Sequence, residues 1–194
     1  MNTRLVDTTE PATPISFSAV AGTKILHYPE TRQVYSFDCG ANALVSFLVY
    51  AGIEEREDRV AALAGTTTNG TSTSGIISVL DYYGLPYRAK EHMTINDLKD
   101  AIDEGHPTLL TLQAYRESGK LYRLLWTEGH WVVNIGYGPK RKIFEDPASF
   151  HRTWLGDEEL MQRWHDKDKK KVIQWGCTLL VKGVYQPGFM AHMD

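Results

Sequence analysis

From residue 107 onward the chain stops reading as helix and starts reading as sheet, and this change limits the folds open to it. Before that point, apolar runs with helical spacing are each closed by a glycine. Residues 39–51 end at Gly52, 54–64 at Gly65, and 74–83 at Gly84, with Ser74 as the cap of the third helix. Thr94 caps a fourth helix over 95–104, with Asp97 in the position of a capping box. Glycine past the last helical residue and a hydroxyl before the first are the expected punctuation. In the first helix Leu44, Phe47, Leu48 and Ala51 share a face, which directs that face into the domain. After residue 107 the segments 107–114, 131–137, 142–145 and 172–181 are rich in β-branched and aromatic residues and read as strands, with one helix, 158–165, between them. A short strand at 24–28 is also expected. Helices followed by a mostly antiparallel sheet is the α+β pattern. Residues 1–22, rich in Thr, Pro and Ala, read as a loose arm, and 23–194 as a single domain.

Composition narrows the function classes. Of 194 residues, 42% are hydrophobic and 23% charged, which suits a globular chain with a real core. A net charge of −3 gives no electrostatic reason to expect nucleic acid as a partner. No stretch of 18 apolar residues is present, so no membrane span is expected, and the polar 1–14 lacks the apolar core of a secretory signal. Two cysteines do not make a disulfide framework, and together these features point to the cytoplasm. Cys177, inside the strand-like 172–181, reads as a small core residue, and the mixed-charge 166–171 as a solvated loop. Metal and cofactor are expected to be none, since neither Cys-x-x-Cys nor His-Glu-x-x-His occurs. Gly65 and Gly70 have phosphate-loop spacing, but Thr71 stands where the lysine must be and no strand precedes them. The sequon Asn69-Gly-Thr71 is idle without secretion. His27, His92, His106, His151, His165 and His192 have no partner pattern.

Cys39 is the residue with chemistry in it. It opens the first helix, where the positive end of the macrodipole favours thiolate over thiol. Gln33 lies six residues upstream, within reach of an oxyanion formed on Cys39. Far downstream stand His130, in Gly-His-Trp-Val-Val, and Asp146, in Glu-Asp-Pro. Strands 131–137 and 142–145 form a hairpin, and pairing symmetric about position 138 would set His130 directly opposite Asp146, about 4.5–5.5 Å between Cβ atoms. A bulge at Gly138-Pro139 would move that register by one. A carboxylate beside the imidazole would fix its tautomer and orientation. Each piece alone has a plainer explanation: a core cysteine, a hydrogen-bonded core histidine, a turn-forming aspartate. Together they are the parts of a cysteine-nucleophile enzyme. The segment 115–129 has no clean periodicity. It reads either as a flap whose Tyr122 and Trp126 touch substrate or as a hairpin packed on the domain. Trp131 is a third candidate substrate contact.

Gln-x5-Cys-Gly-Ala at 33–41, the glycine-threonine loop at 68–72, Gly-His-Trp-Val-Val and Glu-Asp-Pro resemble the papain-like peptidases that process bacteriocin leaders, cysteine-peptidase family thirty-nine, and their standalone relatives. The resemblance spans roughly residues 24–180. It implies a helical lobe carrying Cys39 as nucleophile and a sheet lobe carrying His130 as general base and acid. It also implies Asp146 as orienter and Gln33 in the oxyanion hole. Asn42-Ala43 stand where a second cysteine is common in that family, the cathepsin-type Cys-Gly-Ser-Cys-Trp is absent, and no transporter part accompanies the domain. Three functions remain open on this reading: a peptidase acting on a peptide or protein through a Cys39 thioester, an acyltransferase using the same thioester, and a silent peptide-binding domain. For the first, the resemblance implies small residues before the scissile bond, Gly-Gly among the candidates.

Overall fold

A computed structural model describes residues 21–115 and 121–188. Most of the arm expected at 1–22 therefore lies outside the described residues. Five helices and nine strands follow in chain order: β1 (Lys24–Ile25), α1 (Cys39–Tyr50), α2 (Glu57–Ala64), α3 (Thr73–Tyr82), β2 (Tyr87–Lys90), α4 (Ile95–Glu104), β3 (Thr108–Gln113), β4 (Gly129–Gly138), β5 (Arg141–Glu145), β6 (Thr153–Gly156), α5 (Asp157–Arg163), β7 (His165–Lys167), β8 (Lys171–Ile173) and β9 (Gly176–Leu179). The main sheet runs β2-β9-β3-β4-β5-β6, with β1 also on β4, and every pairing among the described residues is antiparallel. This is the expected α+β fold.

Alternation along the central strands sorts side chains to the two faces of the sheet. Leu109, Val133 and Ile135 meet α1, α2 and α3 on one side, whereas Leu110, Leu112 and Val132 meet Leu98 of α4 and Leu160 and Trp164 on the other. α1 is buried nearly all round, 10 of its 12 residues, where the sequence pattern suggested a single buried face. Packed between the sheet and its two helical neighbours, it has little side left to wet.

Several boundaries differ from expectation for local reasons. α2 begins at Glu57 rather than at 54. The cap of α3 is Ser72, whose hydroxyl accepts from Gly75 N at 3.0 Å, while Ser74 lies inside the helix. The Thr94–Asp97 capping box forms as expected. The 172–181 stretch is two strands, not one. Gln174 adopts φ 48° and breaks it, leaving β8 to pair with β7 and β9 to enter the main sheet. The supposed solvated loop at 166–171 is for the most part that β7–β8 hairpin.

Candidate active site

The start of α1 is built by its preceding loop. Asp38 does not cap the helix through its side chain; its carboxylate accepts instead from Val34 N at 3.2 Å and Tyr35 N at 2.9 Å. That bends the 34–38 segment so that Cys39 becomes the first helical residue, its backbone N–H among the groups without an intrahelical partner. Gly40 is required next: an added Cβ would lie 2.6 Å from Thr71 Cβ and 2.9 Å from Trp131 Cδ1. Cys39 is thereby pressed toward β4, its side chain buried.

His130 comes from β4, and its Nε2 donates to Asp146 Oδ1 at 2.8 Å. The contact expected from the sequence exists, but the expected register does not produce it. The β4–β5 turn pairs Gly138 with Arg141, and the irregularity lies at Asn134–Gly136 rather than at Gly138-Pro139. Asn134 Nδ2 holds it by donating to the carbonyls of Gly136 and Ile143. The ladder stops at Val133–Glu145, so His130 has no direct partner on β5. Asp146 instead leaves the strand and turns, its Oδ1 also accepting Ala148 N at 3.0 Å, and the carboxylate reaches the imidazole diagonally.

With Nε2 committed to Asp146, the other ring nitrogen is the one left for Cys39, whose side chain acts on the imidazole. Burial of the imidazole works against its charged form. The hydrogen bond to Asp146 and the influence of Asp146 and Cys39 outweigh it and raise the His130 pKa to about 9. Burial also opposes the Asp146 carboxylate, but bonds and charge from His130, with Tyr115 and Ala148 N, leave its pKa lowered. The arrangement favours an imidazolium between the Asp146 carboxylate and the Cys39 sulfur, the charge state a Cys–His pair takes once the thiol proton has passed to the ring.

A cleft of about 580 Å³ opens at Cys39, bounded by the 67–73 loop, Trp126, Trp131 and the β7–β8 hairpin. Two of the three aromatic candidates, Trp126 and Trp131, line it. Trp131 is mostly buried, its indole Nε1 donating to Thr71 O at 3.0 Å. Tyr122 does not reach this cleft; it lines a separate pocket of about 230 Å³ with His130 and Asp146, its ring under the Arg163 guanidinium. Residues 116–120 of the proposed flap lie outside the described residues. The described remainder is fastened down: His165 Nε2 bonds Leu125 O at 2.8 Å, and the rings of Trp126 and His165 meet at 4.6 Å.

Gln33 donates through Nε2 to Tyr35 O at 2.7 Å and through its backbone to Pro147 O at 3.0 Å. An amide NH2 has two protons, so one donor is left over. Sequence reasoning missed Asp38, Tyr115 and Thr153, which hold the loop or the carboxylate in place; no spacing rule announces such contacts. It also missed Asp166 and Asp168 as cleft-wall residues, because alternating charge reads as solvated surface. Asp168 in fact accepts from Thr73 N and Oγ1 at 2.9 and 2.8 Å. Among the described residues no group of three His, Cys, Asp or Glu side chains is placed to hold a metal ion.

The Peptidase C39-like family matches residues 25–172, more than half of the chain. The chain belongs to that family. Solved structures agree with the C39-like fold. The peptidase domain of Streptococcus ComA, a bi-functional ABC transporter involved in quorum sensing, superposes with TM-score 0.60 at 19% identity over 79% of this chain and 98% of that one. A putative C39-like peptidase from Bacillus anthracis gives 0.65 at 15% identity, with 83% and 98% covered. A double glycine motif protease from an AMS/PCAT transporter, solved with its leader peptide, gives 0.56 at 16%, with 80% and 92% covered. No curated protein sequence matches the chain. No helix among the described residues is long and apolar enough to cross a membrane.

Proposed function

We propose that this C39-like protein is a cysteine peptidase in which Cys39 attacks the scissile carbonyl and forms a thioester. His130 takes the thiol proton and returns it to the leaving amine, while Asp146 holds the imidazole in the required tautomer. The Cys39 N–H stabilises the oxyanion, joined by the spare Gln33 N–H once that side chain, which here lines a neighbouring pocket with Pro147 and Phe150, turns toward Cys39. Water then releases the acyl-enzyme. The observation that carries the reading is the buried His130–Asp146 pair, Nε2 to Oδ1 at 2.8 Å, acting on Cys39, which lines the cleft. An intact set of these three argues against a silent binding domain. We read residues 23–194 as one domain and the cytoplasm as its compartment, in keeping with two free cysteines.

The substrate in this proposal is an extended peptide with small residues before the cut. Family membership and the indole of Trp131 filling space beside Cys39 support that choice. Rejection of a Cβ by sterics discriminates more sharply than one methylene's contact, about 1–3 kcal/mol. A peptide library with Gly, Ala or Leu at the two positions before the cut, scored by kcat/KM, tests it. Glycine should lead at both. Leucine ahead of glycine would remove the leader-type specificity and leave a peptidase. Acyl transfer to an added amine without hydrolysis would make the protein an acyltransferase.

A further inference from the structure

Tyr115 stands where β3 leaves the sheet, and its backbone takes φ 56°. For a bulky residue the left-handed region is strained, so the conformation needs something to hold it. That something is the dyad. The Tyr115 hydroxyl donates to Asp146 Oδ2 at 2.6 Å, and its ring meets the His130 imidazole edge-on, centroids 5.3 Å apart. Asp146 is thus held by four donors: His130 Nε2 and Ala148 N on Oδ1, and Tyr115 Oη and the Thr153 hydroxyl, at 3.3 Å, on Oδ2. Tyr115 is the shortest of them and the one that shields the pair with a ring. No role for it follows from the peptidase reading as stated above.

We propose that Tyr115 is a positioning residue that limits how much of the Asp146 charge acts on His130 and covers the His130–Asp146 bond against water. The inference rests on the peptidase reading for its consequence in catalysis, though not for its effect on the imidazole. A donor on one carboxylate oxygen takes up negative charge that the other would otherwise direct at the imidazolium. Ala148 N keeps Oδ1 aimed when the tyrosine hydroxyl is gone, so charge rather than orientation is what its removal changes. The groups facing the pair are Cys39 from α1 and Tyr115 itself; Tyr122 and Arg163 of α5 face Tyr115 in turn. Neither Tyr115 nor Tyr122 lines the cleft at Cys39, so substrate affinity should not depend on the hydroxyl.

The test is Tyr115→Phe in the full-length protein, which keeps the ring and loses only the hydroxyl. His130 is titrated by ring-proton NMR, and the same variant is assayed for peptide cleavage. The imidazole midpoint should rise by about half a pH unit. The alkaline limb of kcat/KM should rise with it, and kcat should fall about 3- to 10-fold at unchanged KM, the kinetic equivalent of one hydrogen bond. Tyr115→Ala, which also uncovers the pair, should lose more than Tyr115→Phe. An unchanged or lowered midpoint in a Tyr115→Phe protein with wild-type melting would overturn the inference. So would a uniform loss of rate with no movement of either pH limb. If wild-type protein cleaves no peptide, the peptidase reading fails, while the ring titration still decides the role of Tyr115.

Discussion

The two cysteines sit in opposite electrostatic settings. Cys177, fully buried in β9, has its thiol pushed up to about 12 by burial alone. Cys39 is at a helix start and acts on a histidine whose cationic form is favoured. Iodoacetamide near neutral pH should therefore alkylate Cys39 and spare Cys177 in the folded protein. Labelling of Cys177 alone, or of both equally, would reject the assignment, and peptide mass mapping reads the outcome. Asp146 makes and breaks no bond itself, so Asp146→Ala should be roughly 10- to 100-fold milder in kcat than Cys39→Ala or His130→Ala. Full activity in His130→Ala would remove the mechanism. The pH dependence of stability has a definite sign. The folded pKa of His130, about 9, lies above its ordinary 6.5, so its stabilisation is complete below about pH 6.5 and is lost as pH rises through 9. The gap in melting temperature between wild type and His130→Gln should be wider near pH 6 than near pH 9.5; a gap that stays constant or widens with pH would contradict the raised value.

At the scale of elements, close approach sets which glycines matter. At Gly75, in α3, an added Cβ would come 2.1 Å from the Ala64 carbonyl oxygen, so α3 and the end of α2 touch backbone to backbone. Gly75→Ala must push the two helices apart and should cost about 1–3 kcal/mol or more by denaturant unfolding. Gly84, at φ +64°, has nothing within 4 Å, so Gly84→Ala bears only the conformational cost, about 1 kcal/mol. Equal losses from the two would show that the α2–α3 contact is looser than described. The same elements show how far local sequence reaches. The glycine after α2 and the Thr94 capping box were legible because caps depend on a few neighbouring residues. The short edge strands β2 and β6 were not, since four residues each carry too little pattern to declare a strand.

Across the whole molecule, the cleft is a seam between the helical side and the sheet side, closed by a few polar bonds. Trp131 Nε1 donates to Thr71 O, Gln33 N to Pro147 O, and Thr73 to the Asp168 carboxylate from both N and Oγ1. Asp168→Ala removes the last of these and frees the start of α3 from the β7–β8 hairpin. It should cost about 1 kcal/mol of stability and raise KM for peptide substrate more than it lowers kcat, since no reacting atom is touched. A loss confined to kcat would place Asp168 nearer the chemistry than the geometry does.

The sequence alone determined the order of helices first and sheet after and the helix that begins at Cys39, and it singled out Cys39, His130 and Asp146. These rest on local propensity, on capping, and on residue types whose chemistry is intrinsic. It also put His130 and Asp146 near one hairpin. The tertiary structure decided how they meet, because an irregularity at Asn134–Gly136 and a turn at Asp146 replace direct opposition with a diagonal reach. It decided too that β9, from the end of the chain, lies between β2 and β3, that Asp166 and Asp168 wall the cleft, and that Tyr115 closes over the dyad. The physical reason is common to all of these. Strand order, cross-strand contacts and the number of donors on one carboxylate depend on residues far apart in the chain, which local pattern cannot report.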